Sequence, residues 1–145
     1  MVTRQSGDFL TNREWFKNVL DEDVILCHTS ALECLELFNG YMNENNISVY
    51  SKKIGKYQNI NYIVNDDFDN IEKEKIYGVY CTSIDKTFND MLENFNYTDE
   101  QALIIGLSNY YYLNGNSFDG LKILPKNANI FNKIKDDAIE YYTEE

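Results

Sequence analysis

The 145-residue chain carries one histidine, one proline, three cysteines and seven glycines, and each scarcity removes a kind of chemistry. With His28 alone, no set of imidazole ligands for zinc can assemble, and carboxylates by themselves would suit only hard cations. Cys27 directly precedes His28, yet a thiol–imidazole pair must face each other within hydrogen-bond reach, and adjacent side chains normally point apart. His28 therefore reads as a capping or packing residue. Cys27, Cys34 and Cys81 are odd in number and lack a C-x-x-C spacing, so free buried thiols are expected in place of a disulfide or metal site. The glycines never group into G-x-G-x-x-G or a Walker loop, which leaves no phosphate cradle. No apolar run approaches the roughly 18 residues of a membrane span, and the polar start lacks the apolar core of a signal peptide. The expectation is a cytoplasmic protein with no catalytic residues, no cofactor, no metal and no membrane contact.

Positive charge is also scarce. Thirteen Lys and Arg face twenty-four Asp and Glu, a formal net charge of -11, so phosphate backbones would be repelled and direct nucleic-acid binding is not expected. One acidic cluster, Asp66-Asp67-Phe68-Asp69 followed by Glu72-Lys73-Glu74-Lys75, could be read as a magnesium nuclease centre. Such a centre needs an acid at one strand end and an acid-x-lysine on its neighbour, all aimed at one phosphate. Consecutive acids splay across a turn instead, and the mixed charges fit a solvated hairpin.

Length and composition, with 43% hydrophobic and 26% charged residues, describe one ordinary globular domain over residues 1–145, loose at residues 1–8. Thr11-Asn12-Arg13-Glu14 has the reciprocal spacing of a capping box and predicts a helix carrying Trp15, Phe16, Val19 and Leu20. Val24 to Cys27 reads either as a short buried strand or as the tail of that turn. Ser30-Ala31-Leu32-Glu33 repeats the capping spacing and predicts a helix with Leu32, Leu35 and Phe38 on one face, ending at Asn39-Gly40. The period then becomes alternating. Ile47 to Tyr50 and Ile60 to Val64 predict two antiparallel strands, Lys75 to Tyr77 reads as a third short strand, and Gly78 gives a turn before Val79 to Cys81.

Helical spacing returns at Ser83, a predicted cap, with Ile84, Phe88, Met91, Leu92 and Phe95 in one stripe. Thr98-Asp99-Glu100-Gln101 predicts the next start, with Leu103, Leu107, Tyr110 and Tyr111 recurring. Residues 117–124 are ambiguous between a helical turn and a strand. The lone Pro125 precedes a last helix with Ile130, Phe131, Ile134 and Ala138 inward. The fold expected is α+β, or α/β: a small, mainly antiparallel sheet over about residues 46–82, packed by four to five helices.

Aromatic residues are the abundant class, with 12 Tyr and 8 Phe. Successive helical residues are about 100° apart, so Tyr110-Tyr111-Tyr112 and Tyr141-Tyr142 cannot all face a core. Tyr111, Tyr112, Tyr141 and Tyr142 are accordingly the candidate partner surface, since an exposed tyrosine offers both area and a hydroxyl.

Two segments together carry a resemblance. Asp23 to Glu33, DVILCHTSALE, resembles the entry "apolar run, Ser/Cys-His-x-Ser-Ala" of AbiEi-type antitoxins. Gly78 to Leu92, GVYCTSIDKTFNDML, resembles their "Gly-x-x-Val-Thr-Ser-x-x-Arg-Thr-x-x-Asp-Leu" segment. The likeness spans about residues 9–124 and marks His28, Ser30, Thr82, Ser83, Lys86, Thr87 and Asp90. It departs at Lys86, where the family usually has arginine, and at Cys27 and Cys81, often Ser and Val. The residues before Thr11 would not hold the winged helix with which such antitoxins usually begin, so operator binding is not carried over.

The motif residues also have local physical readings. Ser83 caps, Thr87 bonds back into its helix, Asp90 reaches Lys86 at i−4, and Ser30 closes a box with Glu33. The resemblance implies a non-catalytic antitoxin-like or immunity protein of a phage-defence toxin–antitoxin system. Its partner would be a toxin protein, possible examples being the nucleotidyltransferases that accompany such antitoxins. The alternative is an acidic phage or mobile-element inhibitor that mimics nucleic acid to block a basic DNA- or RNA-binding protein.

Overall fold

The computed structural model describes residues 23–38, 47–56, 60–76 and 78–142. The loose start expected at residues 1–8 and the helix expected from Thr11 lie outside them, and the helix expected to run to Asn39-Gly40 ends instead at Cys34, with Glu36 at φ 64 just beyond it. The described chain is α+β, with a five-stranded sheet ordered β3-β2-β1-β5-β4. The strands are β1 (Val24–Leu26), β2 (Ile47–Ser51), β3 (Ile60–Val64), β4 (Lys73–Ile76) and β5 (Val79–Thr82). The helices are α1 (His28–Cys34), α2 (Ile84–Glu93), α3 (Glu100–Leu113) and α4 (Ala128–Glu140).

The short apolar run at Val24 is the centre of this sheet. Alternate residues of a strand point to opposite faces, and both faces of β1 are covered, which is why all three of its residues are apolar and buried. Val24 and Leu26 join Ile47, Val49, Ile60, Cys81 and the α1 residues Ala31 and Cys34. On the opposite face Ile25 and Cys27 meet Tyr50, Phe68 and Ile71.

The sheet is mixed, which corrects the mainly antiparallel expectation. β1 pairs with β2 antiparallel and with β5 parallel. β2 and β3 are parallel, in register from Ile47↔Ile60 to Ser51↔Val64, and not the antiparallel pair expected. A short polar connection containing a glycine ordinarily reads as a hairpin, since parallel neighbours usually need a crossover of a dozen or more residues. Here β2 ends at Ser51 and β3 begins at Ile60. β4 and β5 form an antiparallel hairpin closed at Ile76↔Val79, with Gly78 at φ 84 in the expected turn.

Helical spacing places a second core above α1. Leu32 and Leu37 pack with Phe88, Met91 and Leu92 of α2, Leu103 and Leu107 of α3, and Ile134 and Ala138 of α4. Each large side chain so buried contributes about 1.5–3 kcal/mol. Gly106 lets α3 approach closely, because a methyl group there would stand 3.1 Å from Leu32 Cδ1 and 3.3 Å from Phe88 Cε1. Residues 117–124, ambiguous in sequence, form neither helix nor strand. They are pinned by Asn89, whose side-chain amide donates to Lys122 O at 2.7 Å and whose Oδ1 accepts from Leu124 N at 2.8 Å. Asn127 donates to the same Oδ1 at 3.0 Å.

Two expected caps fall elsewhere. The N-cap of α1 is Cys27, without a side-chain bond, and Ser30 lies inside the helix, so Ser30 and Glu33 form no capping box. Strand β1 runs directly into α1, with His28 at φ 53 taking the abrupt turn. Ser30 Oγ accepts instead from Ser48 N at 2.9 Å, tying α1 to β2. At α3 the cap is Asp99, which accepts from Ala102 N at 3.1 Å, while Thr98 donates to Met91 O.

Candidate functional site

Because β1 and β5 are parallel neighbours, they leave the sheet at the same end. β1 continues through Cys27 into α1, and β5 continues through Ser83 into α2. The two motif segments, more than fifty positions apart in sequence, therefore meet there. Ser83 caps α2 by accepting from Lys86 N at 3.1 Å, as its spacing predicts, and donates to Glu72 Oε1 at 2.6 Å. Thr87 Oγ1 bonds back to Ser83 O at 2.7 Å and lies 2.6 Å from Thr82 Oγ1. Both threonines are fully buried.

One turn further along α2, Asp90 is the hub. Its Oδ1 receives Lys86 Nζ at 2.8 Å, the expected i,i+4 pair. Its Oδ2 accepts from Tyr50 Oη at 2.8 Å, a contact forty positions away that local spacing does not announce. Lys86 Nζ lies 5.6 Å from the centre of the Tyr50 ring, and the His28 ring meets that ring edge-on at 6.0 Å. Burial, then the charge and hydrogen bond of Asp90, push the Tyr50 phenol well above its ordinary value. Burial likewise pushes the Cys27 thiol up, with the Asp90 charge adding to it. Burial lowers His28, and Asp90 only partly opposes it. The arrangement keeps phenol and thiol protonated and the imidazole neutral, while Asp90 locks α2 to β2.

Beside this knot lies a cavity of about 500 Å³ whose lining includes His28, Glu33, Ser48, Asn61, Tyr97 and Asp99. His28 Nε2 is buried and has no hydrogen-bond partner among the described residues. Cys27, Cys34 and Cys81 are all buried. Asp66, Asp67 and Asp69 are exposed in the turn between β3 and β4. Asp67 accepts from Asn70 Nδ2 at 2.6 Å, and Asp69 pairs with Lys52 at 3.3 Å. Among the described residues, no group of three or more His, Cys, Asp or Glu could hold a metal ion, and no helix is long and apolar enough to cross a membrane.

The candidate tyrosines come together where α3 and α4 meet. The rings of Tyr111 and Tyr112 lie 5.0 Å apart, Tyr112 and Tyr142 6.1 Å, and Tyr141 and Tyr142 4.9 Å. Tyr112 Oη donates to Ile139 O at 2.5 Å, and Tyr142 Oη donates to Asn109 Oδ1 at 2.8 Å. Tyr142 is 44% exposed and the other three are half-buried. Tyr141 also lines a groove of about 430 Å³ with Glu100, Gln101, Ile104 and Asp137.

No family model matches the chain, and no curated protein matches it.

Proposed function

We propose that this chain is a non-catalytic, antitoxin-like or immunity protein that neutralises a toxin by binding it through the α3–α4 face. The observation that carries this reading is the gathering of Tyr111, Tyr112, Tyr141 and Tyr142, of which Tyr141 also lines a groove with Glu100 and Asp137. Tyrosine supplies rigid area with a polar tip, and the carboxylates supply complementarity to a basic protein. A mixed patch of this kind fits a protein partner better than the nucleic-acid mimic, which calls for carboxylates at phosphate-like spacing. The net charge of -11 would speed encounter with a basic toxin and set its orientation more than it would raise final affinity.

The resemblance to AbiEi-type antitoxins points to the same role. Ser83, Thr87 and Asp90 direct their polar atoms into the fold, consistent with a domain that presents a surface. The test is co-expression with the protein encoded by the adjacent reading frame, scored by growth. Rescue by the wild type, and its loss in a Glu100→Lys/Asp137→Lys/Tyr142→Ala variant that still folds, is the expected result. Failure of the wild type to rescue growth would remove the reading.

A further inference from the structure

Strand β4 has one strand neighbour among the described residues, β5, so its other side is an edge of the sheet. In an antiparallel pair, opposed residues alternate between exchanging both backbone hydrogen bonds and exchanging none. Ser83 N donates to Glu72 O at 3.1 Å, which fixes the phase of that alternation. Glu74, opposite Cys81, and Ile76, opposite Val79, therefore turn their N–H and C=O groups toward β5. Lys73 and Lys75 turn theirs outward, to the edge.

The side chains of the same two residues are cationic. Lys73 stands opposite Thr82 and Lys75 opposite Tyr80, so both share the Tyr80 face of the hairpin. Their ammonium groups lie 5.6 Å and 5.3 Å from the centre of the Tyr80 ring, which is 39% exposed. On the same side of the sheet Lys52 and Lys86 also stand over rings, those of Phe68 and Tyr50, but Asp69 and Asp90 neutralise them. Lys73 and Lys75 have no carboxylate partner among the described residues. At two alternate positions, then, the edge offers open backbone groups and an uncompensated positive charge together.

We propose that the β4 edge takes up an extended segment of a partner protein that pairs antiparallel and carries carboxylates at alternate positions. Its backbone bonds to Lys73 and Lys75. Since directly opposed residues share a face, its acids meet the two ammonium groups beside the Tyr80 ring. A second copy of this strand does not fit. Its outward residues are the same two lysines, and like charges set opposite one another are destabilising, the usual guard on an edge strand. The net charge of -11 does not forbid the contact, because charges more than about 8–10 Å away are largely screened at physiological salt. The edge is opposite in sign to the α3–α4 groove, and the proposal does not rest on that face.

The probe is an acetylated, amidated heptapeptide with glutamate at alternate positions and threonine or valine between, titrated into the ¹⁵N-labelled full chain. Strand addition leaves an alternating signature. The Lys73 and Lys75 amides should shift saturably and gain protection from deuterium exchange, while those of Glu74 and Ile76, already turned to β5, change far less. The same peptide N-methylated at its glutamates keeps the charge but loses the backbone donors, and should not saturate.

Glutamine in place of the peptide's glutamates, or Lys73→Glu/Lys75→Glu in the protein, should each weaken binding about tenfold or more, equivalent to about 1.4 kcal/mol. Both lysines are exposed, so the variant should fold, and Lys73→Gln/Lys75→Gln repeats the test if it does not. Absence of a saturable shift at Lys73 and Lys75, or equal binding of the N-methylated or glutamine peptide, overturns the proposal. Tighter saturation of these amides by oligothymidylate than by the peptide would mean a nucleic-acid surface, and overturns it as well.

Discussion

The strand ends around Asp90 and the tyrosine face at the ends of α3 and α4 are both rich in polar side chains, but they use them differently. Around Asp90 the acceptors and donors are buried and satisfied from within: Tyr50 and Lys86 both terminate on one carboxylate, and Thr87 on the backbone of its own helix entry. On the tyrosine face the rings meet edge to face in a chain, and Tyr142, bonded to Asn109, keeps 44% of its surface in solvent. Sequence features that stand out as a motif can therefore be those that hold the fold. The surface able to meet a partner is carried by residues whose pattern is only an excess of one residue type.

Substitutions can break this contrast, beginning with the hub. Asp90→Ala strands Tyr50 Oη and leaves Lys86 without its buried partner, and should lower unfolding free energy by about 3 kcal/mol in a urea titration. Thr87→Val keeps the shape but removes the hydroxyl that bonds to Ser83 O. A loss of about 1–2 kcal/mol is expected in the same assay. Tyr142→Phe, at the exposed face, should cost no more than about 0.5 kcal/mol, since its hydroxyl bond to Asn109 is solvent-accessible. Lys126→Ala, which removes the exposed pair with Glu93, should be smaller still, within about 0.3 kcal/mol by denaturant midpoint. Equal losses for Asp90→Ala and Tyr142→Phe would erase the distinction between the two regions.

Acid sharpens it. His28 titrates lower in the folded chain than its ordinary value of about 6.5, because burial disfavours the charged ring. Its contribution to stability is therefore complete above that value and is lost as the pH falls through the folded pKa, where the unfolded chain takes up the proton first. The unfolding midpoint should decline as acid is added below about pH 6.5, and the part of the decline due to this ring should vanish in His28→Phe. Tyr50 acts at the other extreme. Its folded phenol titrates higher, so its contribution is full below the ordinary tyrosine range and is lost as pH rises beyond it.

Much of the helical layer was legible in the sequence. The stripe Phe88, Met91, Leu92 and the pairs Leu103, Leu107 and Ile134, Ala138 recur at three and four residues, a local rule that needs no knowledge of the rest of the chain. The cap at Ser83 and the Lys86–Asp90 pair are local in the same sense. Strand pairing is not. Ile47 and Ile60 alternate alike whether their strands run parallel or antiparallel, so the pattern does not announce the direction.

The capping spacing at Ser30 misled because all four of its positions lie within a helix already started by the turn at His28. Tyr50 and Asn89 were missed as organising residues because their partners, Asp90 and residues 122–127, lie more than thirty positions away. The cavity beside His28 was invisible for the same reason, being walled by β2, β3, α1 and the start of α3.

The brevity of β1 has a kinetic and diagnostic consequence. Two ribbons, β2 with β3 and β4 with β5, are stitched into one sheet by three residues, and a single aligned pair, Leu26↔Cys81, joins β1 to β5. The amides along that seam, including Cys27 N bonded to Ser48 O at 3.0 Å, cannot open one at a time without parting the halves. Their deuterium uptake should follow whole-molecule unfolding, whereas edge-strand amides of β3 and β4 should exchange through shallower local openings.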